Sequence, residues 1–386
     1  MKVLLFVRDL GVGGSQRQLS ALAAGLAARG HDVAVALLYA GGELEAALRE
    51  SGVRVLPIGK SSRWHAVGPL AKIRQLLLTE RADLLYAFLP TQTTLAALLL
   101  PRQLKTKLVF GLRASGVRLD RYDYLNAVTY RSEAWLSRRA HLIIANALSV
   151  RADAIERGLP RERIAVVANG IDTDAMHPDA AAGQALRKAW GLSQKAFVVG
   201  CVARLDPMKD HANFLAAAAP FIGKNPDARF VCVGDGPSSY RDQLKALAYS
   251  LGVADHVLWV GQMRDVNAAF NAFDIATLSS AFGEGFPNVI GEAMACGVPV
   301  VATEVGDAPQ IVGEFGEIAP AGQPEALCAG WRRLRQRLAQ EPELGKAARD
   351  AIVTNYSLDA MVQRTDQVLQ QLAAGRSAAD IAREFA

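Results

Sequence analysis

The segment SSAFGEGFPNVIGEAMACGVPVVAT, residues 279–303, carries two carboxylates, Glu284 and Glu292, around a proline-led helix start. Pro287 suits the first position of a helix and Gly297 its end, and VPVVAT reads as a buried strand. Glu284 and Gly285 then stand on a glycine-flanked loop, with Glu292 in the second helical turn. The amides of Phe286, Asn288 and Val289 lie where a helix start leaves N–H groups without intrahelical acceptors and its dipole favours an anion. A carboxylate accepts hydrogen bonds from two vicinal hydroxyls, so these groups can hold a sugar and a diphosphate together. Taken alone, the two glutamates read as ordinary helix-entry and surface acids.

Three further stretches have anion-binding chemistry. In CVARLDPMKDH, Arg204 and Lys209 follow a strand and precede a helix, an arrangement that suits a diphosphate, the arginine by its fork and the lysine as a point charge. Taken alone, the pair reads equally as surface charge. VCVGDGP runs a strand into a turn at Gly234, which either lines a nucleotide pocket or merely turns the chain. GVGGSQR places Gly13 and Gly14 between the first strand and a helix, where backbone N–H groups can approach a phosphate. It fails as a nicotinamide fingerprint, because Gln16 stands where GxGxxG needs glycine and Asp32 precedes the second strand rather than ending it.

These motifs need strand ends to position them, and the pattern supplies them. KVLLFV, DVAVALL, ADLLYAF, KLVFGL and HLIIAN alternate with helical stretches, the first helix running from about Ser15 to Ala28. A second series follows: AFVVGCVAR, ARFVCVG, HVLWVG, DIATLS and VPVVAT. Two such series predict an α/β protein of two doubly wound, Rossmann-like domains, with ligands bound outside the carboxyl ends of strands in a cleft between facing sheets. The join falls near RIAVVANGIDTDAMHP, giving domains at 1–175 and 176–357, and the tail from Ser357 to Leu372 is helical in pattern.

Composition narrows the classes. At 386 residues, 51% hydrophobic and 21% charged, the chain has ample material for two cores and is not disordered. MKVLLFVRD does not read as a signal peptide, since Arg8 and Asp9 cut its apolar run at five residues. The charge-free run of 18 residues from Leu84 to Pro101 holds Pro90, Gln92 and three threonines, and reads as a strand and helix rather than a membrane span. Cys201, Cys232, Cys296 and Cys328 are too dispersed for a metal or redox motif, so buried thiols in a cytoplasmic protein, with no metal site, are expected. Residues 1–175 hold 24 Lys+Arg against 15 Asp+Glu, and the remainder 19 against 23. The basic stretch 102–139 suits an anionic membrane surface, nucleic acid or a phosphorylated acceptor, or is simply a solvated face. It has aromatics at Tyr122, Tyr124, Tyr130 and Trp135, but no nucleic-acid reading module accompanies them.

In their joint order GVGGSQR, NGID, VARLDPMKD, VGDGP, VGQMRDV and the E-x7-E element resemble the retaining glycosyltransferases of the GT-B fold, family-4 type (glycosyl transferase group 1), over essentially the whole chain. The resemblance implies a nucleotide-sugar donor, most commonly UDP-linked, held by the C-terminal domain, and a glycan, lipid-linked or small-molecule acceptor held by the N-terminal domain. It implies Arg204 and Lys209 on the diphosphate, Glu292 on the ribose, and Glu284 on the transferred sugar. Amides around Phe286 and Asn288 would contact sugar and phosphate, Met263 and Arg264 the base, and Gly14 the phosphate. It places residues from about 358 to 386 back on the first domain. The implied mechanism is front-face substitution with retention, without metal or other cofactor. Other enzymes of this fold, such as a sugar-nucleotide epimerase or phosphorylase, and a non-catalytic sugar-nucleotide-binding protein are the alternatives. One departure stands out: many members carry a histidine near the transferred sugar, but no histidine lies between His65 and His141, and Arg113 in GLRAS occupies that region. Arginine is never a base at neutral pH, so its role there would be electrostatic. The expected location is cytoplasmic, with the basic half suited to peripheral contact at the inner face of an anionic membrane.

Overall fold

The structure, a computed structural model, describes residues 1–11, 13–60, 67–113 and 124–386. Val12 of the glycine-rich motif, His65, and residues 114–123 of the basic stretch, Tyr122 included, lie outside the described residues. Two compact units form, one of Met1–Gly170 with Leu358–Ala386, the other of Ile171–Ser357.

Among the described residues the first unit is built on β1 (Lys2–Val7), β2 (Asp32–Leu37), β3 (Arg54–Pro57), β4 (Leu84–Phe88), β5 (Lys107–Leu112), β6 (Leu142–Ala145) and β7 (Ile164–Val166). They pair in the order β3-β2-β1-β4-β5-β6-β7, all parallel. A parallel sheet is covered on both faces, which is why VLLFV and LLYAF are apolar throughout and buried residue by residue. Helix Gly14–Ala28 presents Leu19, Leu22, Ala23 and Leu26 to this core at helical spacing, and Gly30 at φ 85° follows it. Helix Leu358–Ala373 lies along it with Met361, Val362, Val368, Leu369 and Leu372 buried. A Cβ on Gly25 would stand 2.6 Å from Val362 Cγ2, so the two helices approach through glycine. Arg29–Asp359 at 2.6 Å and His31–Asp366 at 2.7 Å fix the same contact.

The second unit repeats the plan with β8 (Phe197–Val202), β9 (Ala228–Val233), β10 (Val257–Gly261), β11 (Ile275–Leu278), β12 (Val300–Thr303) and β13 (Glu317–Ala319). Their order is β10-β9-β8-β11-β12-β13, again all parallel. Trp331 is wholly buried against Phe214, Phe221 and Phe230, with ring centroids 5.3–5.7 Å away, and its indole N–H donates to Thr277 Oγ1 at 2.9 Å. All four cysteines are buried free thiols, and burial pushes the Cys201 thiol up to about 12.

The edge strands β3 and β13 fall outside the sequence reading. RVLP carries an arginine and a proline, EIA is three residues long, and neither has the apolar run that marks the central strands. Both sheets reverse their strand order beside the central strand, at β1/β4 and at β8/β11. Such switch points, at the carboxyl ends of the strands, are where open α/β sheets bind ligands.

Candidate functional site

In the second unit the chain leaving β8 carries Arg204 and Lys209, and the chain leaving β11 carries Ser279, Ser280 and Glu284, so the switch point brings them together. Asp206 caps the short turn Pro207–Lys209 by accepting from the Met208 amide at 2.9 Å. The Ala281 amide donates to Met208 O at 2.8 Å and the Ser279 hydroxyl to Lys209 O at 2.8 Å, tying one loop to the other. The Lys209 ammonium then meets Glu284 Oε1 at 2.5 Å, and the Ser280 hydroxyl donates to the same oxygen at 2.7 Å. Lys209 and Glu284 side chains keep only 17% and 10% of their exposure. Two loops far apart in sequence thus present one nearly buried, charge-neutral pair at the strand ends.

Arg204 does not join that pair. Its side chain is 74% exposed, with Asp206 at 3.8 Å, and its fork is open to solvent. Gly234, at φ 132°, lies against the base of that loop, where a Cβ would stand 2.0 Å from Ala203 O. Gly285 is held by the Asp307 amide, which donates to its carbonyl at 2.9 Å. Gly306, at φ 57°, makes this approach feasible, since a Cβ there would lie 2.4 Å from Gly285 O. Phe286 is buried against Tyr356, their rings 5.3 Å apart, and Pro287 is the N-cap of helix Asn288–Ala295. Asn288 and Val289 open that helix at the end of the glycine loop. Glu292 is half-buried, and its charge adds to burial in pushing the Cys296 thiol up to about 12. Met263, half-buried, and Arg264, exposed, follow β10, ahead of Asp265, which caps the next helix at the Ala268 amide.

Sequence reasoning passed over the shell behind Lys209. Asp210 sits in the left-handed region at φ 46° and accepts from the Asn213 amide at 3.1 Å. His211 is fully buried, its Nε2 3.9 Å from Cys201 Sγ and its Nδ1 without a partner among the described residues. Burial, aided by the Lys209 charge, pulls this imidazole down to about 4. Ser280, Gly306 and Asp307 carry no sequence signal beyond adjacency to the ends of β11 and β12.

In the first unit Gly13 is the extended N-cap, at φ −150°, of the helix that Gly14 begins. Arg113, just past β5, donates from Nη1 to Asn169 Oδ1 and from Nη2 to Tyr86 Oη, both at 3.1 Å, and lies over Phe88 at 4.3 Å from the ring centroid. Asn146 Nδ2 donates to the same Asn169 oxygen at 3.2 Å, while Arg113 Nε is buried without a partner among the described residues. Burial raises the Tyr86 phenol, keeping it a neutral acceptor toward the guanidinium. Gln18, buried, clamps Gly170 through two hydrogen bonds, 2.7 Å to its carbonyl and 2.8 Å from its amide. Among the described residues no group of three or more His, Cys, Asp or Glu is placed to hold a metal ion. Among the same residues no helix is long and apolar enough to cross a membrane.

Comparison with known proteins agrees with this architecture. The family model "Glycosyltransferase Family 4" matches residues 12–175 and "Glycosyl transferases group 1" matches residues 196–337. The chain belongs to the group 1, family-4-type glycosyltransferases, with the two Rossmann-like domains of the GT-B fold. The crystal structure of Anabaena Alr3699/HepE in complex with UDP superimposes with a TM-score of 0.84 at 23% identity, covering 96% of this chain and 100% of that one. The GDP-mannose-dependent alpha-(1-6)-phosphatidylinositol monomannoside mannosyltransferase of Mycobacterium tuberculosis is 39% identical over 152 residues, 37% of this chain and 38% of that protein. The D-inositol 3-phosphate glycosyltransferase of Gordonia bronchialis is 31% identical over 261 residues, 61% of this chain and 54% of that protein. The matches therefore span about two fifths to just over half the length of these relatives.

Proposed function

We propose that the protein transfers a hexosyl group from a nucleotide-sugar donor to a glycan, lipid-linked or small-molecule acceptor, with retention at the anomeric carbon and without a metal ion. The observation that carries this reading is the Lys209–Glu284–Ser280 cluster at the β8/β11 switch point, with Arg204 open beside it. A diphosphate offers Lys209 and Arg204 a doubly charged partner. Glu284, relieved of the lysine, gains the capacity to accept from sugar hydroxyls. In the reaction the bond from anomeric carbon to phosphate oxygen breaks and a bond to the acceptor oxygen forms on the same face. The acceptor proton passes to the departing phosphate. Lys209 and Arg204 hold charge that grows on that phosphate, which lowers the barrier rather than merely tightening binding.

The donor base we propose is uracil, in keeping with a fold neighbour crystallised with UDP. Guanine is the rival, because the M. tuberculosis relative is named for GDP-mannose. The acceptor belongs to the first unit, whose basic charge suits a phosphorylated or lipid-linked molecule at an anionic membrane, and we place the protein in the cytoplasm. The competing readings are another reaction of the same fold, epimerase or phosphorylase, and a silent binding protein.

Thermal unfolding with UDP, GDP, ADP and their sugar conjugates tests the assignment. Ligand bound to the native state raises the midpoint by mass action. One nucleotide is expected to raise it, and Lys209→Ala and Glu292→Ala to abolish the effect. No shift with any nucleotide in a folded sample overturns the donor site. Donor consumption without transfer to any acceptor pool favours the epimerase or phosphorylase.

A further inference from the structure

The opposite end of the first sheet carries a second feature that the glycosyl-transfer reading does not use. A cavity of about 1270 Å³ opens at the amino ends of β4, β5 and β6, away from Arg113 and Asn146 at their carboxyl ends. Its lining includes Arg81, Arg102, Lys105, Lys107, Arg139 and His141, against one carboxylate, Asp83. Asp83 already accepts from the Lys2 amide at 2.7 Å. Among the described residues none of the five lining cations has a carboxylate within ion-pair distance, whereas Arg54, on β3 of the same sheet, bonds both Glu80 and Asp32. The Leu108 amide donates to His141 Nδ1 at 3.0 Å, which leaves the proton on Nε2, a further donor. Arg81 is held at φ 44°, a left-handed conformation costly for a side-chain-bearing residue. Leu78, Leu100 and Leu104 supply an apolar wall.

Five uncompensated cations converging from three separate segments on one hollow repel one another, and a multiply charged anion relieves that repulsion. We propose that this cavity binds a phosphate-bearing anion of two or more charges, at the end of the sheet remote from sugar transfer. The phosphate belongs either to a soluble pyrophosphate-type solute or to a lipid headgroup whose chain lies on the leucine wall.

Calorimetric titration of the full chain with inorganic pyrophosphate tests the site, with sedimentation of phosphatidic acid vesicles as the second arm. The Arg102→Glu/Lys105→Glu variant is expected to weaken pyrophosphate at least about tenfold. Both positions are exposed, and circular dichroism checks that the fold is kept. The titrations are compared in the wild-type and Lys209→Ala backgrounds; in the second, where the diphosphate site proposed for the second unit is disabled, the cavity's affinity is expected to persist. Vesicle retention displaced by pyrophosphate identifies a lipid headgroup, and pyrophosphate binding without vesicle retention identifies a soluble anion. No saturable pyrophosphate binding, indifference to the charge reversal, or loss in Lys209→Ala overturns the proposal.

Discussion

Removing Lys209 isolates what the pair at the β8/β11 switch point contributes. Lys209→Met keeps most of the aliphatic packing but leaves Glu284, whose side chain is 10% exposed, as a carboxylate facing the Ser280 hydroxyl without its ammonium. Breaking one side of a nearly buried pair costs about 3 kcal/mol, most of it the desolvation of the abandoned charge. Glu284→Gln retains an acceptor for Ser280 and strands a lysine that is 17% exposed, so its cost is smaller, about 1–2 kcal/mol. The double variant contains no charge and is expected to be about 2 kcal/mol more stable than the sum of the single losses allows. Urea denaturation followed by tryptophan fluorescence reads this, since Trp190, Trp259 and Trp331 all lie in the second unit. The two units can unfold separately, so each transition is fitted on its own. Coupling below about 0.5 kcal/mol refutes the description of a desolvated pair. Nucleotide binding supplies the second readout: the double variant recovers stability but not binding, and recovery of both would show that the pair serves only the fold.

Two further outcomes follow from the same neighbourhood. His211 binds its proton near pH 4 when folded and about 6.5 when unfolded, so its contribution is whole above pH 6.5 and declines by about 3 kcal/mol as the pH falls to 4. Urea midpoints between pH 7.5 and 4.5 are expected to fall less steeply in His211→Phe, and parallel slopes would contradict this. Gly306→Ala drives a Cβ to 2.4 Å from Gly285 O and is expected to cost about 2 kcal/mol or more, with loss of nucleotide binding. Gly30→Ala, equally left-handed at φ 85° but with no atom within 4 Å, is the control and is expected to cost about 1 kcal/mol. Equal losses from the two would mean that crowding at Gly285 contributes nothing.

The central strands were legible because a parallel sheet demands apolar runs such as KVLLFV and FVVGCV, and because glycines and prolines punctuate their ends. What stayed hidden was set by tertiary proximity. Nothing about Ser280 in SSAFG marks it as a partner of Glu284, and Gly306 owes its place to a carbonyl about twenty residues earlier in the chain. Asp210 is the sharper example. It occupies a left-handed position where glycine is the easy choice, yet its carboxylate caps the next helix, and only the backbone angle shows both roles. Tyr86 lies within buried β4 and Asn146 and Asn169 follow buried strands, and no sequence pattern distinguishes them from core residues until Arg113 is seen between two of them.

The two switch-side clusters differ in a way that bears on the chemistry. In the second unit the cation is neutralised in advance; on the proposed function Lys209 takes the diphosphate by exchanging one anionic partner for another, and Glu284 becomes available in the same event. In the first unit Arg113 is oriented by neutral oxygens from Asn169 and Tyr86, and its charge is not cancelled by them. A guanidinium fixed in this way stabilises negative charge but accepts no proton. With arginine rather than histidine in GLRAS, deprotonation of the acceptor on the proposed mechanism falls to the departing phosphate. The protein's part in that step is then to hold the phosphate, through Lys209 and Arg204, where its oxygen can take the proton.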